Sequence, residues 1–471
     1  MPMTVLVPGK FAVLHAGHIR IFRYAKEIGQ EVVAALDISG LNQSEISWRF
    51  DALSSLEYVD KVETFENNNI NLILRLKPEI VLKGREFETI DNIELETLNS
   101  YGGKLVFSSG TSFYSREDSL EFFEQNFEID KFGDGTDYLS RNKIRREDIL
   151  STIDGFRNIR TCVIGDLIID EVINCHPIGM SQEDPTIVAT PIDSIKFIGG
   201  AGIVAGHCSA LGSKTSLVTV LGSDTMSDWC KSNFNRSSPE LEIFDDPYRK
   251  TTLKQRFKSG KQVLFKLNHF TQNPISKSIE NAILNYFELN INNFDLIIFS
   301  DFSYGIVSSR IASKLISMAK KSNITVVADS QTSSQVGDLS KFHGATLITP
   351  TELEARAEIR DDSSGLAVVA QKVRSLIDTK YILLKLGPDG VLLDGNDETG
   401  EAIRTDLVPA LNKNPVDVSG AGDSMLAGAS LALASGSSLY LAAYIGSLMS
   451  GIQVSRVGNI PISNDVLKNF F

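Results

Sequence analysis

Asp417-Val418-Ser419-Gly420-Ala421-Gly422-Asp423 runs without a break into Ser424-Met425-Leu426-Ala427-Gly428-Ala429-Ser430-Leu431-Ala432-Leu433-Ala434. A Gly-Ala-Gly turn ahead of a small-residue apolar run predicts a helix that opens on a glycine turn and packs deep in an α/β fold. The unpaired N–H groups and positive dipole end of such a helix suit a phosphate. Asp423 stands at that point as a candidate base for a hydroxyl proton. The amides of Gly420, Ala421 and Gly422 would form an anion hole for the transferring group. That is kinase chemistry, but a glycine turn before a helix is common, so the rest of the chain decides.

Six further segments fall in a consistent order. Ile164-Gly165-Asp166-Leu167-Ile168-Ile169-Asp170 follows an apolar run, and Gly199-Gly200-Ala201-Gly202 is a second glycine turn. Val220-Leu221-Gly222-Ser223-Asp224 and Ser300-Asp301-Phe302-Ser303-Tyr304-Gly305 each end an apolar stretch on an acid. Leu347-Ile348-Thr349-Pro350-Thr351-Glu352-Leu353-Glu354 and Leu386-Gly387-Pro388-Asp389-Gly390-Val391 complete the series. Together with the Asp423 turn they resemble the signatures of the ribokinase-like (PfkB) sugar kinases. The resemblance implies that Asp423 is the catalytic base and that Asp166, Asp170, Gly199, Gly200 and Asp301 bind the sugar. It places Lys385, Gly387 and Gly390 on the nucleotide side, and Glu354 beside a magnesium-bound water. Val263 to Leu267 would be one strand of a small β lid over the sugar.

The N-terminal third reads differently. Thr4-Val5-Leu6-Val7-Pro8-Gly9-Lys10-Phe11 is an apolar strand and glycine turn, followed by His15-Ala16-Gly17-His18 at the start of an amphipathic helix. Two imidazoles flanking a glycine at a helix N-terminus can both reach one polyphosphate. With Tyr58-Val59-Asp60-Lys61-Val62, Lys77-Pro78-Glu79-Ile80-Val81-Leu82-Lys83-Gly84 and Ser115-Arg116, this stretch resembles the HxGH nucleotidyltransferases. The resemblance implies that His15 and His18 hold a triphosphate while a substrate phosphate attacks its α-phosphorus. Gly9, Lys10, Phe11, Arg49, Lys83 and Ser115 would assist as nucleotide-binding residues.

Both halves together resemble the bifunctional heptose 7-phosphate kinase and heptose 1-phosphate adenylyltransferase enzymes of ADP-heptose synthesis, in reversed domain order. The fold expectation is α/β throughout. Residues 1–127 would be a Rossmann-like nucleotidyltransferase domain, 128–151 a linker, and 152–471 a ribokinase-like α/β sandwich with its lid. The glycines and charges of Gly133-Asp134-Gly135 and Arg141-Asn142-Lys143-Ile144-Arg145-Arg146 suggest the linker. Substrates would be a sugar phosphate and ATP, with CTP an alternative at the N-terminal site and Mg2+ at both. The resemblance also admits a homodimer through the kinase domain.

Departures from the motifs bear on the substrate. Ile203 stands where a sugar-contacting Asn is expected, Thr351 replaces the Asn of Asn-x-x-Glu, and Ser330-Gln331-Thr332 replaces Pro-Lys-Gly. Tyr304 stands in place of a Lys, Ala12 in place of an Asp, and the loop before Arg49 is short. These losses of polar donors keep two alternatives open, an enzyme for another sugar or polyol and a partly inactive sensor or scaffold.

Composition narrows the rest. A formal charge of −13 opposes binding to nucleic acid or an anionic membrane surface. The N-terminus shows no signal-peptide pattern and no run of 18 apolar residues is present, giving a cytoplasmic expectation. Cys162, Cys175, Cys208 and Cys230 lack CxxC spacing and read as core thiols rather than metal ligands.

Overall fold

The computed structural model describes residues 3–11, 16–84, 92–108, 135–181, 183–184, 186–234, 239–260, 262–331, 337–396, 403–412 and 414–471. The chain divides into two compact units, Met1–Phe127 and Glu128–Phe471.

The first unit is a five-stranded sheet of β1 (Thr4–Gly9), β2 (Glu31–Asp37), β3 (Lys61–Phe65), β4 (Ile80–Gly84) and β5 (Lys104–Ser108), in the order β3-β2-β1-β4-β5. Every pairing is parallel. The central strand is buried at Val5, Leu6 and Val7, because helices cover both faces of the sheet. Val5 and Val7 pack with Phe22, Ala25 and Leu53 on one side. Leu6 packs with Leu72, Ile73 and Leu98 on the other. Strand order reverses between β1 and β4, and in such sheets the ligand crevice lies at the C-terminal ends of those two strands. Lys10 and Phe11 follow the end of β1, Lys83 is the last residue but one of β4, and helix α1 (Ala16–Ile28) starts from the same edge. Helix α2 (Gln43–Ser54) carries Arg49.

The second unit holds a nine-stranded sheet and a four-stranded one. The large sheet runs β10-β9-β6-β13-β14-β15-β16-β17-β18. Its members are β6 (Arg160–Gly165), β9 (Lys214–Leu221), β10 (Glu240–Asp245), β13 (Leu296–Asp301), β14 (Thr325–Ser330), β15 (Leu347–Ile348), β16 (Tyr381–Lys385), β17 (Val391–Gly395) and β18 (Asp406–Val408). From β10 to β16 neighbours are parallel, and β17 and β18 close the edge antiparallel. The small sheet runs β12-β11-β7-β8, built from β7 (Leu167–Met180), β8 (Ile187–Gly200), β11 (Thr252–Ser259) and β12 (Gln262–His269). It is the expected lid, with four strands where one was legible. Only Asp166 separates β6 from β7, so the chain passes from the large sheet to the lid through that residue.

The linker expectation is corrected over residues 135–151. Helices α3 (Thr136–Arg141) and α4 (Arg146–Gly155) pack on the second unit. Tyr138 is fully buried and its hydroxyl donates to the Tyr440 carbonyl at 2.9 Å. Arg141 makes a forked pair with Asp406, at 3.1 Å from Nε and 2.9 Å from Nη2. Ile149 and Ile153 are buried. The charged run is thus spent on ion pairs, with Asp148 accepting from the Arg145 amide at the start of α4, and the apolar residues between the charges anchor it. Residues 128–134 lie outside the described residues.

Helix α5 (Ala201–Ala210) follows the lid, α6 (Glu352–Ile359) follows β15, and α7 (Ala421–Ala434) with α8 (Leu439–Val454) forms a buried antiparallel pair. Both α7 and α8 are apolar almost all round, as helices enclosed in a domain must be. All four cysteines are buried free thiols.

Candidate active site

The turn before α7 sets the centre of the site. Gly420 is the N-cap with φ +78°, a left-handed conformation that costs a residue with a Cβ about 1–2 kcal/mol. The Ala421 amide makes only a long 3.4 Å bond back to the Val418 carbonyl, and Asp423 sits in the first turn, only 7% exposed. Burial pushes the Asp423 carboxyl up to about 7, and the charge of Asp329 adds to the shift. Lys385 and a hydrogen bond from Gln331 oppose it, while Asp170 contributes to the rise. Gln331 Nε2 donates to Asp423 Oδ1 at 2.9 Å. A carboxylate tuned to neutral pH is suited to general base catalysis.

Across from this turn stand the lid-side acids. Asp166 is buried, and its Oδ2 accepts from the amides of Phe302 at 2.8 Å and Tyr304 at 3.3 Å. Its Oδ1 is buried without a partner among the described residues, which leaves it available to a substrate hydroxyl. Burial, with help from the Asp301 charge, raises Asp166 to about 6. Gly200, with φ +57°, could not carry a Cβ, which would lie 2.3 Å from the Asp166 carbonyl. A Cβ on Gly199 would come 2.4 Å from Asp170 Oδ2, so the second glycine turn lies directly against Asp170. Burial raises Asp170 as well, although Arg256 and Lys254 work against it.

Two expectations change. Asp301 is not open to a sugar: Lys341 Nζ holds its Oδ2 at 2.5 Å with Ser330 Oγ at 2.9 Å, and its Oδ1 accepts from Ser303 N. It braces the Ser303–Gly305 turn that in turn supports Asp166. Thr351 is no simple loss of an Asn, because it forms a capping box with Glu354 at the start of α6. Ile203 is buried inside α5 and offers nothing polar to the site.

The nucleotide side is formed by strand ends. Lys385, the last residue of β16, donates to Asp329 Oδ1 at 2.7 Å, and a Cβ on Gly422 would stand 3.5 Å from its Nζ. A buried cation is thus held beside the Gly420–Gly422 turn. Burial works against its charge, but Asp329 and Glu354 hold its proton more tightly than usual. Gly387 and Gly390 bound the turn into β17. Asp329 Oδ2 is buried with no partner among the described residues, and Glu354 acts on the same Asp329–Lys385 pair. An orphaned carboxylate oxygen near a second acid fits a magnesium ion held through phosphate and water.

Three site residues lay outside the motif reading. Lys254 and Arg256 alternate on β11, so they share one face of the lid. Arg256 Nη1 donates to Ser419 Oγ at 2.7 Å and its guanidinium lies 3.9 Å from Asp170. Lys254 Nζ sits 5.1 Å from the Phe302 ring centre. Their two-residue spacing was visible, but the strand's partner was not. Asn459 lies against both glycine turns, 3.5 Å from a Cβ on Gly199 and 2.1 Å from one on Gly420.

In the first unit, His18 lies in the first turn of α1, edge-on to the Phe11 ring with centres 5.1 Å apart. The Phe11 ring covers Gly9, and Arg49 Nη1 donates to the Lys10 carbonyl at 3.1 Å. His18, Arg49, Lys10, Phe11 and Gly9 therefore gather at the end of β1. Lys83 is engaged by Asn92 and by Glu94, each at 2.9 Å. Glu94 is itself buried and also accepts from Asn69. His15 and Ser115 lie outside the described residues.

A buried carboxylate behind a glycine-turn helix, facing acids under a β lid, is an arrangement suited to phosphoryl transfer to a sugar hydroxyl. The model for pfkB family carbohydrate kinases matches residues 159–465, and the chain belongs to that family. It is 29% identical over 310 residues to the bifunctional protein HldE of Trichlorobacter lovleyi, covering 65% of this chain and 61% of that protein. It is 30% identical over 325 residues to HldE of Geobacter metallireducens, covering 68% and 64%. The chain thus spans a little over three fifths of the length of these curated relatives. Among solved structures it resembles a ribokinase from Thermotoga maritima, with TM-score 0.52 and 19% identity over 66% of this chain and 99% of that one. Phosphofructokinase-2 from Escherichia coli gives TM-score 0.54 and 17% identity over 66% and 98%. These likenesses establish the ribokinase-like fold. No helix among the described residues is long and apolar enough to cross a membrane.

Proposed function

We propose that the chain is a bifunctional enzyme of nucleotide-activated sugar synthesis. Its second unit phosphorylates a sugar phosphate of the heptose 7-phosphate kind with ATP, and its first unit transfers a nucleotidyl group to a sugar 1-phosphate. The observation that carries the kinase half is Asp423, buried behind the Gly420 turn with its carboxyl raised to about 7. In this reading Asp423 takes the proton of the acceptor hydroxyl as the oxygen attacks the γ-phosphorus and the bond to the β-phosphate oxygen breaks. The amides of Gly420, Ala421 and Gly422 face the transferring group, and Lys385 neutralises phosphate charge from β16. Asp166 and Asp170 hold the sugar. Lys254 and Arg256, both on the lid face near Asp170, supply cations for an acceptor that is already phosphorylated. Magnesium bound near Asp329 and Glu354 would neutralise charge on the nucleotide phosphates.

The nucleotidyltransferase half rests on the gathering of His18, Arg49, Lys10 and Phe11 at the reversal point of the first sheet, with His15 and Ser115 assigned by motif. ATP is the expected nucleotide and CTP the alternative. The engagement of Lys83 by Glu94 favours a second reading, in which this unit binds nucleotide without transfer. Exposed apolar residues on the lid, among them Ile178, Met180, Ile187 and Phe265, support a homodimer through the kinase unit.

The deciding experiment incubates the full chain with ATP or CTP and a panel of sugars, sugar terminal phosphates and sugar 1-phosphates. ADP formation and pyrophosphate release are followed separately. Phosphorylation confined to phosphorylated acceptors supports the kinase assignment, and pyrophosphate release supports the second activity. Transfer only to unphosphorylated sugars overturns the acceptor class. Nucleotide binding without pyrophosphate release selects the binding-only reading of the first unit.

A further inference from the structure

Gln331 follows the last residue of β14, and its backbone amide donates to the Asp301 carbonyl at 2.8 Å. That bond continues the β13–β14 pairing by one residue and fixes where the side chain starts. The side chain then reaches Asp423 across 92 residues of sequence, its Nε2 lying 2.9 Å from Oδ1. Asp423 is also faced by Asp329 from β14, Lys385 from β16 and Asp170 from β7. Lys385 is committed to Asp329 by its own hydrogen bond. Among the described residues, Gln331 therefore makes the direct side-chain hydrogen bond to the Asp423 carboxylate.

We propose that Gln331 is the positioning residue for the base, holding Asp423 Oδ1 so that Oδ2 is presented to the acceptor hydroxyl. A neutral amide suits this task for two reasons. It orients one oxygen and favours the ionised carboxylate. It adds no positive charge that would pull the proton affinity of the base down and weaken it as an acceptor. The bond is anchored through Asp301, which also braces the turn beneath Asp166, so one strand end aligns the base and the sugar-side acid together. This inference rests on the kinase reading above.

The test uses the full chain with Gln331→Ala, Gln331→Lys and wild type. The kinase pH profile is measured against the best phosphorylated acceptor. Gln331→Ala should lower kcat about tenfold with little change in KM for ATP, and move the acid limb up by about one pH unit. Gln331→Lys should restore a donor and move the limb below that of the wild type. A second series is independent of turnover. For each Gln331 background, the thermal midpoint is compared with that of the same chain carrying Asp423→Asn, from pH 4 to 9. The pH at which the difference levels off should rise in Gln331→Ala and fall in Gln331→Lys. Unfolding profiles that superimpose across the backgrounds overturn the Gln331–Asp423 coupling while leaving the kinase reading intact. Wild-type chain that phosphorylates no acceptor overturns the kinase reading, and the positioning role with it. A Gln331→Ala enzyme with wild-type kcat and an unmoved acid limb overturns the positioning role alone.

Discussion

Asn459 Oδ1 occupies the place that a Cβ on Gly420 would need, with only 2.1 Å between them. The loop after α8 therefore closes over the turn that opens α7, and the turn depends on glycine for both its φ and its space.

Gly420→Ala should therefore displace the anion-hole amides while leaving the large sheet folded. Losing a preorganised donor typically costs about 3 to 4 kcal/mol in the transition state, or roughly two to three decades in rate. Phosphoryl transfer by this variant, with circular dichroism as the control for folding, measures that loss. A wild-type rate would show that these amides are not the anion hole.

Asp423→Asn should lower phosphoryl transfer by about two to four orders of magnitude. The wild-type profile should rise through a limb near pH 7, because the base must be ionised to act. Stability should move the opposite way. The folded carboxyl lies above its ordinary value of 3.8, so the native state binds the extra proton between pH about 4 and 7 and loses stability as pH rises through that window. Asp423→Asn should consequently melt higher than wild type at pH 8 and equal to it below pH 4. A variant less stable than wild type at pH 8 contradicts the raised carboxyl.

The helices of residues 135–151 should be part of the kinase body. A fragment of residues 135–471 is expected to fold and bind ATP, whereas one of residues 152–471 should be less stable. Within the full chain, Tyr138→Ala removes a fully buried ring and the bond to Tyr440, and should cost about 3 kcal/mol or more. Denaturant unfolding of the kinase unit reads this directly. Equal stability of the two fragments would return the segment to the role of a linker.

His18→Ala should abolish most pyrophosphate release by the first unit, by roughly two to three decades, and leave phosphoryl transfer by the second unit unchanged. Parallel assays on one preparation compare the two. An unchanged pyrophosphate rate would remove His18 from the triphosphate site.

Some of this was open to reading from residues alone, for a local reason. The turn Ser419-Gly420-Ala421-Gly422-Asp423 is written in neighbouring residues, since positive φ, helix start and dipole all arise within one turn of chain. Apolar runs such as Leu296-Ile297-Ile298-Phe299 announced buried parallel strands in the same way. The tie of residues 135–151 to the kinase body was not legible, because the partners of Tyr138 and Arg141, the Tyr440 carbonyl and Asp406, lie some 260 to 300 residues away. Asp301 carried the family motif and was read as a sugar contact, yet its lysine is supplied by Lys341 from beyond β14.

By itself, then, the sequence determined the two α/β units, the glycine turns and the place of Asp423 in the first turn of α7, since each depends on backbone chemistry within a few adjacent residues. Tertiary structure alone decided which charges are spent on one another. Lys385 meets Asp329 across 56 residues and Gln331 meets Asp423 across 92. Such pairs exist only because parallel pairing through β15 brings the C-terminal ends of β14 and β16 to the same end of the sheet, and burial there makes an unpaired charge too costly to leave alone.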